Sequence, residues 1–259
     1  MFKVQNLIAG YGETTVLSEL SFSVEKGEFI GIAGPNGAGK STLLRLLAAF
    51  LQPTAGTIEL LDRPISSYSR RQLARLIAVI LQDFSCPYDF TVFDMVAMGR
   101  SPFLPRWKPL SAHDRTIITD AMEMTDVAKL RHRSFFELSG GERQRAIIAK
   151  ALVQEPSVLL LDEPSTHLDL RHQVKIFDIL HCLNRQSNVT IACVTHDLTL
   201  SAQYVDRFIL LSGGKLLAQG LPEHIVEKGL MEKLYTTPVY TGSISESHKP
   251  FIYPLRISK

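Results

Sequence analysis

The run Gly34-Pro35-Asn36-Gly37-Ala38-Gly39-Lys40-Ser41-Thr42 has the spacing G-x-x-x-x-G-K-S, in which glycines let a turn fold tightly enough for successive backbone N–H groups to aim at one anion. In such a loop Lys40 reaches the β- and γ-phosphates of a nucleotide, Ser41 offers its hydroxyl to Mg²⁺, and Thr42 bonds a phosphate oxygen. A second pattern, Leu138-Ser139-Gly140-Gly141-Glu142-Arg143-Gln144-Arg145, sets an N-cap serine and two glycines at the head of a helix, which makes a second anion-binding helix start. The glycines cost helix stability in that first turn, so a cap alone does not account for them. A third, Val158-Leu159-Leu160-Leu161-Asp162-Glu163, is an apolar strand that finishes on two acids, and packing gives no reason for that ending. Asp162 there can hold Mg²⁺ through water, and Glu163 can polarise an attacking water. Two single residues stay open. Tyr11 either stacks on a nucleotide base or packs as core or turn, and His196 at a strand end either contacts a γ-phosphate or serves as a structural hydrogen-bonder.

These groups need strands and helices to hold them. Residues 28–33 read as a buried strand and 40–51 as a helix with leucines at helical spacing, so the first loop sits at a strand-to-helix turn. Residues 2–8 and 15–24 alternate as two strands around a Gly10-Tyr11-Gly12 loop, and residues 57–61 and 77–81 read as further strands, the latter leading into a loop at Gln82-Asp83. From 83 to 137 the pattern turns to helices separated by proline-bearing loops, an inserted helical subdomain. Its methionines 95, 98, 122 and 124 suit core or interface packing, and Trp107, among prolines and basic residues, suits an exposed contact surface. Later come a helix from 139 to 153, a helix over 170–185, a strand over 189–194 and a hairpin turning at Ser212-Gly213-Gly214. The expected organisation is one domain over 1–259. Residues 1–82 and 138–235 form its α/β core, 83–137 the helical subdomain, and 236–259 a tail that carries no chemical motif.

Composition narrows the class. A chain of 259 residues that is 45% hydrophobic and 21% charged can bury a real core, and bulk disorder is excluded. A formal net charge of +2 gives no electrostatic case for a nucleic-acid protein. Three cysteines without paired spacing fit reduced thiols, neither they nor the histidines make a metal signature, and no apolar run is long enough to span a bilayer. Action at a membrane would need a different chain to do the spanning.

In this order and spacing the three motifs closely resemble the ATP-binding subunit of ABC transporters, and the resemblance covers nearly the whole chain. It implies the P-loop NTPase core of that family, with an N-terminal antiparallel β subdomain and an inserted α-helical subdomain. Tyr11 corresponds to the aromatic that stacks on adenine, and Gln82 to the loop that reports Mg²⁺ and γ-phosphate to a membrane partner. Glu163 corresponds to the catalytic carboxylate, His196 to the switch histidine, and Asp169 to the turn that communicates between two sites. The family implies a homodimer stacked head to tail, each ATP lying between one copy's phosphate loop and the other's Ser139-Gly140-Gly141-Glu142 turn. A transmembrane permease, and indirectly a solute-binding protein, would complete the assembly at the cytoplasmic face of the cell membrane. The runs Thr91 to Pro102, Leu168 to Gln173 and Pro250 to Pro254 are similar to the subfamily that imports iron–siderophores, haem, cobalamin and related metal chelates. Ser165 stands where threonine is commoner in the family. The competing class is a soluble ABC ATPase acting on ribosomes, DNA or Fe–S assembly, whose usual second cassette or long basic or coiled-coil insertion is missing from this sequence.

Overall fold

Alternation at the N-terminus folds into an antiparallel pair, β1 (Phe2–Tyr11) and β2 (Thr14–Val24), in the computed structural model, which describes residues 1–82, 84, 86, 88–104 and 109–256. Phe2, Val4, Leu7 and Ala9 face inward with Leu17, Leu20, Phe22 and Val24, the period of two of one buried sheet face, offset by one residue where the register shifts and Asn6 and Glu19 take φ of +47° and +55°. Gly10 and Tyr11 belong to β1 itself rather than to a loop, and the chain reverses at Gly12, whose φ is +56°. Strand β3 (Phe29–Ala33) is buried at every position, and α1 (Lys40–Leu47) follows it with Leu43, Leu44, Leu46 and Leu47 buried. The helix stops four residues before the expected Leu51, because Ala49 turns to φ +56° and the N–H groups of Phe50 and Leu51 fold back onto the Arg45 carbonyl. Strands β4 (Ala55–Leu60) and β5 (Arg63–Pro64) complete a sheet ordered β2-β1-β4-β5.

The chain divides into two units, Met1–Ser67 with Thr190–Lys259, and Tyr68–Val189. The second unit runs α2 (Arg70–Leu76), β6 (Ile77–Ile80), α3 (Val92–Ala97), α4 (Ala112–Met124), α5 (Gly140–Leu152), β7 (Val158–Asp162) and α6 (Leu170–Ser187). Its helix starts are written plainly in sequence. Ser69, Thr91, Ser111 and Ser139 each cap a helix in a box closed by the side chain three residues on, and Asp169 caps α6. Strands β6 and β7 pair in parallel with Ile77 opposite Val158 and Ile80 opposite Leu161. The turn after α3 is pinned by Arg100, which is buried and donates to Asp114 at 2.8 Å, to the Val153 carbonyl at 2.8 Å and to Glu155 at 2.6 Å while lying 4.2 Å over the Phe103 ring. Trp107, expected on a contact surface, lies outside the described residues.

On returning to the first unit the chain forms β8 (Thr190–Val194), α7 (Leu198–Ser201), β9 (Arg207–Ser212), β10 (Lys215–Gly220), α8 (Pro222–Ile225), α9 (Lys228–Tyr235), β11 (Val239–Ser243) and β12 (Pro250–Pro254). Strand β3 lies between β8 and β9 and is parallel to both, which is why it and β8 read as continuous apolar runs. Gly213 and Gly214, at φ +55° and +75°, make the tight turn of the β9–β10 hairpin. The tail packs on its own unit: Thr199 Oγ1 donates to the Ile252 carbonyl at 3.2 Å and accepts the Ile252 N–H at 3.1 Å.

Candidate functional site: two glycine-lined helix starts and an acidic strand end

Unit one carries the phosphate loop. It leaves β3 at Gly34 and enters α1 through Gly39, the N-cap, whose φ of +95° is left-handed and which offers no side chain to cap the helix. No acidic residue stands in the first turn of α1, so its N–H groups and partial positive charge face outward for an anion. Two of the glycines are obligatory: a Cβ at Gly34 would stand 2.1 Å from the Leu211 carbonyl oxygen, and one at Gly39 would stand 2.3 Å from Leu17. Gly37, at φ +78°, opens onto free space, where backbone can approach a ligand closely.

Lys40 is buried, and its ammonium donates to the carbonyls of Gly34 and Pro35 at 2.9 and 3.0 Å. The loop's own oxygens thus hold the cation in the cradle where phosphate oxygens would compete for it. Thr42 is buried beside it. Tyr11, the last residue of β1, places its hydroxyl against the same helix and accepts from Arg45 at 3.1 Å. Burial pushes the phenol up, but bonds from Thr42 and Arg45 and the Arg45 charge outweigh it and leave the group below its ordinary value. His196 is exposed in the turn after β8, and the neighbouring Thr195 N–H donates to Ile32 at the end of β3 at 3.1 Å. The turn bearing His196 therefore stands at the same end of the parallel strands as the phosphate loop.

Unit two carries the acids and the second glycine turn. Buried β7 delivers Asp162, itself buried, and the chain then bends at Glu163 with φ +51°, a left-handed conformation that costs a non-glycine residue about 1–3 kcal/mol. Gln82 Nε2 donates to Glu163 Oε2 at 3.1 Å, and Thr166 Oγ1 donates to the same oxygen at 3.2 Å. Asp169 accepts the backbone N–H of His172 at 2.9 Å and faces its Nδ1 at 2.7 Å. These bonds, the backbone one foremost, hold its carboxyl below the usual carboxylate range. At the head of α5 the Glu142 carboxylate turns back to accept from Ser139 N–H at 2.9 Å and Ser139 Oγ at 2.8 Å, and it too is held low by those bonds. Glu142 thus shapes the helix start from within its own chain.

Two further contacts tie α5 to the segment after Gln82. Lys150 lies 4.6 Å over the Phe84 ring, which meets Phe135 edge-on at 5.8 Å, and Arg143 lies 5.6 Å over Phe135. Burial lowers Lys150.

Mg²⁺ takes few protein ligands, keeps its waters and prefers hard oxygen. Ser41, Asp162 and Gln82 are donors of that kind, and among the described residues no group of three His, Cys, Asp or Glu could cage a metal unaided. Each of the three, taken singly, offers the hard oxygen that an ion bound together with nucleotide phosphates takes.

A family model described as ABC transporter matches residues 17–166, a span holding the phosphate loop, the second glycine turn and the acidic strand in that order. The chain belongs to the ABC transporter family. It is 41% identical to the ferric enterobactin transport ATP-binding protein FepC of Escherichia coli (strain K12) over 251 residues, which is 97% of this chain and 93% of the relative. A metal-chelate type ABC transporter solved in an inward-facing conformation shares the fold with a TM-score of 0.86 and 30% identity, covering 98% of this chain and 97% of the other. The dimeric structure of the bacterial ABC transporter cassette MJ0796 gives a TM-score of 0.75 at 27% identity over 85% of this chain and 98% of that one. The cassette described here is an ATPase with the α/β fold of ABC ATPases.

Four contributors escaped the sequence reading. Thr166 and His172 sit beside expected residues, Arg45 lies one helical turn beyond the phosphate loop, and Phe84 follows Gln82 by two. Only one pattern could have drawn attention to any of them in advance: Asp169 and His172 at i,i+3 across a helix start, an N-cap spacing.

Proposed function

We propose that this chain is the ATP-hydrolysing subunit of an importer of metal chelates, with ferric siderophores as the leading cargo class, and haem or cobalamin-type chelates next. Two copies would stack head to tail, each ATP lying between one copy's phosphate loop and the other's Ser139–Gly141 turn. A transmembrane permease would take up the motion at the cytoplasmic face of the membrane, with a solute-binding protein delivering cargo to it. The observation that carries the cargo class is likeness along nearly the full length to a ferric enterobactin transport subunit. The metal-chelate transporter supports it, and the dimeric cassette supports the stacking. No helix among the described residues is long and apolar enough to cross a membrane, in keeping with a separate spanning partner.

In this reading phosphoryl transfer depends mainly on positioning and charge. Lys40 exchanges the Gly34 and Pro35 carbonyls for phosphate oxygens, and the uncapped N-terminus of α1 stabilises their charge. Ser41, Gln82 and, through water, Asp162 would hold Mg²⁺, which would supply further neutralisation of the phosphates. Glu163 orients and polarises the attacking water, its carboxylate aimed by Gln82 and Thr166. His196 contacts the γ-phosphate, Tyr11 stacks on the base, and Asp169 passes information between the two sites.

The test is transport. The chain would be co-expressed with a metal-chelate permease and its binding protein and assayed for energy-dependent uptake of labelled ferric siderophore, haem and cobalamin. Uptake of at least one, abolished by Glu163→Gln, is the expected result. ATPase activity with no uptake of any of the three would remove the metal-chelate reading.

A further inference from the structure

The head of α5 and the head of α6 meet within one chain, and the ring of His172 fills the space between them. A Cβ built on Gly141 would stand 2.2 Å from Cδ2 and 2.7 Å from Cγ of that ring, closer than any real side chain tolerates. The ring therefore packs on bare backbone, and Gly141 is glycine for a reason internal to the subunit, whatever it also does for an anion. Nearby, a Cβ at Gly140 would be 3.4 Å from Leu168 Cδ2, so Leu168 of the turn before α6 lies beside the first of the two glycines while His172 covers the second.

The ring is fixed from its other side by Asp169, which accepts both the backbone N–H of His172 and Nδ1–H through a single oxygen, Oδ1. A carboxylate is acceptor-only, so Nδ1 carries the proton in this contact. Asp169 is in turn the N-cap of α6. One side chain thus touches the Ser139–Gly141 turn through van der Waals packing and the Asp169 turn through a hydrogen bond.

We propose that His172 is a positioning residue that locks the Ser139–Gly141 turn to the Asp169 turn, so that a displacement of either is passed to the other. The physical basis is close packing, since a ring already in contact with backbone cannot absorb a shift of a few tenths of an ångström except by moving what it touches. The functional half of the proposal rests on the dimeric reading above, in which those two turns serve nucleotides held with a second copy. The packing half does not.

The test uses the purified full chain. His172→Ala removes both contacts, whereas His172→Asn keeps an N–H near the place of Nδ1 and removes the ring from Gly141. His172→Ala should lower kcat about tenfold, the scale of a small misplacement of reacting groups. It should leave binding of a fluorescent ATP analogue within about twofold and bring the Hill coefficient of ATP hydrolysis down to about 1 from the wild-type value, with His172→Asn recovering part of kcat. Thermal melting gives an independent arm. Gly141→Ala should lower the melting temperature clearly in the wild-type background and much less in His172→Asn, where the ring no longer meets the added methyl. Wild-type kcat and cooperativity in His172→Ala, or equal damage by Gly141→Ala in both backgrounds, would overturn the proposal. If the wild type itself hydrolyses without cooperativity and Glu163→Gln forms no ATP-dependent dimer, the dimeric reading has failed, and the paired melting experiment still decides whether the brace exists.

Discussion

Gln82 Nε2 donates to Glu163 Oε2 at 3.1 Å, joining the second residue beyond β6 to the first beyond the parallel strand β7. Thr166 holds the same oxygen at 3.2 Å, so the carboxylate is aimed by two donors while its backbone is bent into a left-handed turn. An amide at 163 keeps the shape and loses the basicity. Glu163→Gln should therefore lower steady-state ATP turnover about 10²–10⁴-fold, the usual loss of a general base. ATP binding should survive, and size-exclusion chromatography with ATP and Mg²⁺ should show an accumulated dimer. Near-normal phosphate release in that variant would remove Glu163 from the role.

Asp114 offers a pH test. Its carboxyl is held below the usual carboxylate range, first by the Ser111 hydroxyl and then by the Ser111 N–H and Arg100, with burial opposing. A carboxylate depressed in the folded state adds stability above its unfolded pKa and loses it as pH falls through the folded value. Asp114→Asn leaves Arg100 buried with the Val153 carbonyl and the half-exposed Glu155 but without the negative charge of its more enclosed carboxylate partner. The expected loss is about 3 kcal/mol near neutral pH, at the low end for a broken buried pair. In urea melts the gap between wild type and variant should narrow as pH drops below 4, and a gap independent of pH would show that charge is not its source.

Tyr235 behaves in the opposite sense. Burial alone pushes its phenol up to about 12, and its hydroxyl has no hydrogen-bond partner among the described residues. A buried hydroxyl without a partner costs about 1–3 kcal/mol. Tyr235→Phe should accordingly be at least as stable as wild type at neutral pH. Above pH 10 the wild type should lose stability relative to the variant, because its unfolded chain can release the phenolic proton and its folded chain cannot. A variant that melts several degrees lower at neutral pH would mean that the hydroxyl is satisfied in solution.

The two loops and the acidic strand were legible because their chemistry is local. A phosphate cradle needs glycines and a lysine at fixed spacing within one turn, and a strand that ends on Asp162 and Glu163 betrays itself by the break in polarity. The capped helix starts were legible for the same reason. What the sequence hid is long-range side-chain pairing, such as Arg100 with Asp114 and Glu155, Tyr11 with Arg45, and His172 against Gly141, where no period or spacing marks the partners. Gly141 shows the consequence most clearly, since its glycine looked unexplained by helix capping until the ring of a residue on another helix was found against it. Smaller errors were local competitions. Tyr11 extended a strand because β2 was there to pair with it, and α1 ended early because Ala49 adopts the left-handed conformation that Leu-rich spacing does not reveal.

Phe84 is the remaining point where a position near the reacting groups is set by a distant contact. Its ring takes the Lys150 ammonium on one face at 4.6 Å and the edge of Phe135 at 5.8 Å, while Arg143 lies over Phe135. Lys150 and Arg143 both belong to α5, so that helix grips the chain two residues beyond Gln82 through aromatic faces. Phe84→Leu keeps most of the volume and removes the quadrupole. A cation–π contact with a partly desolvated lysine is worth about 0.5–2 kcal/mol, and an aromatic pair about 0.5–1.5 kcal/mol. At about 2–4 °C per kcal/mol for a chain of this size, losing both contacts should lower the melting temperature by roughly 2–14 °C. A double-mutant cycle with Lys150→Met should return a coupling of about 0.5–2 kcal/mol, since Lys150→Met removes the same contact from the other side. If the grip also aims Gln82, Phe84→Leu should depress kcat several-fold with little change in KM for ATP, because the phosphate loop that binds the nucleotide is untouched. A purely structural Phe84 would show the melting shift and the coupling with turnover unchanged.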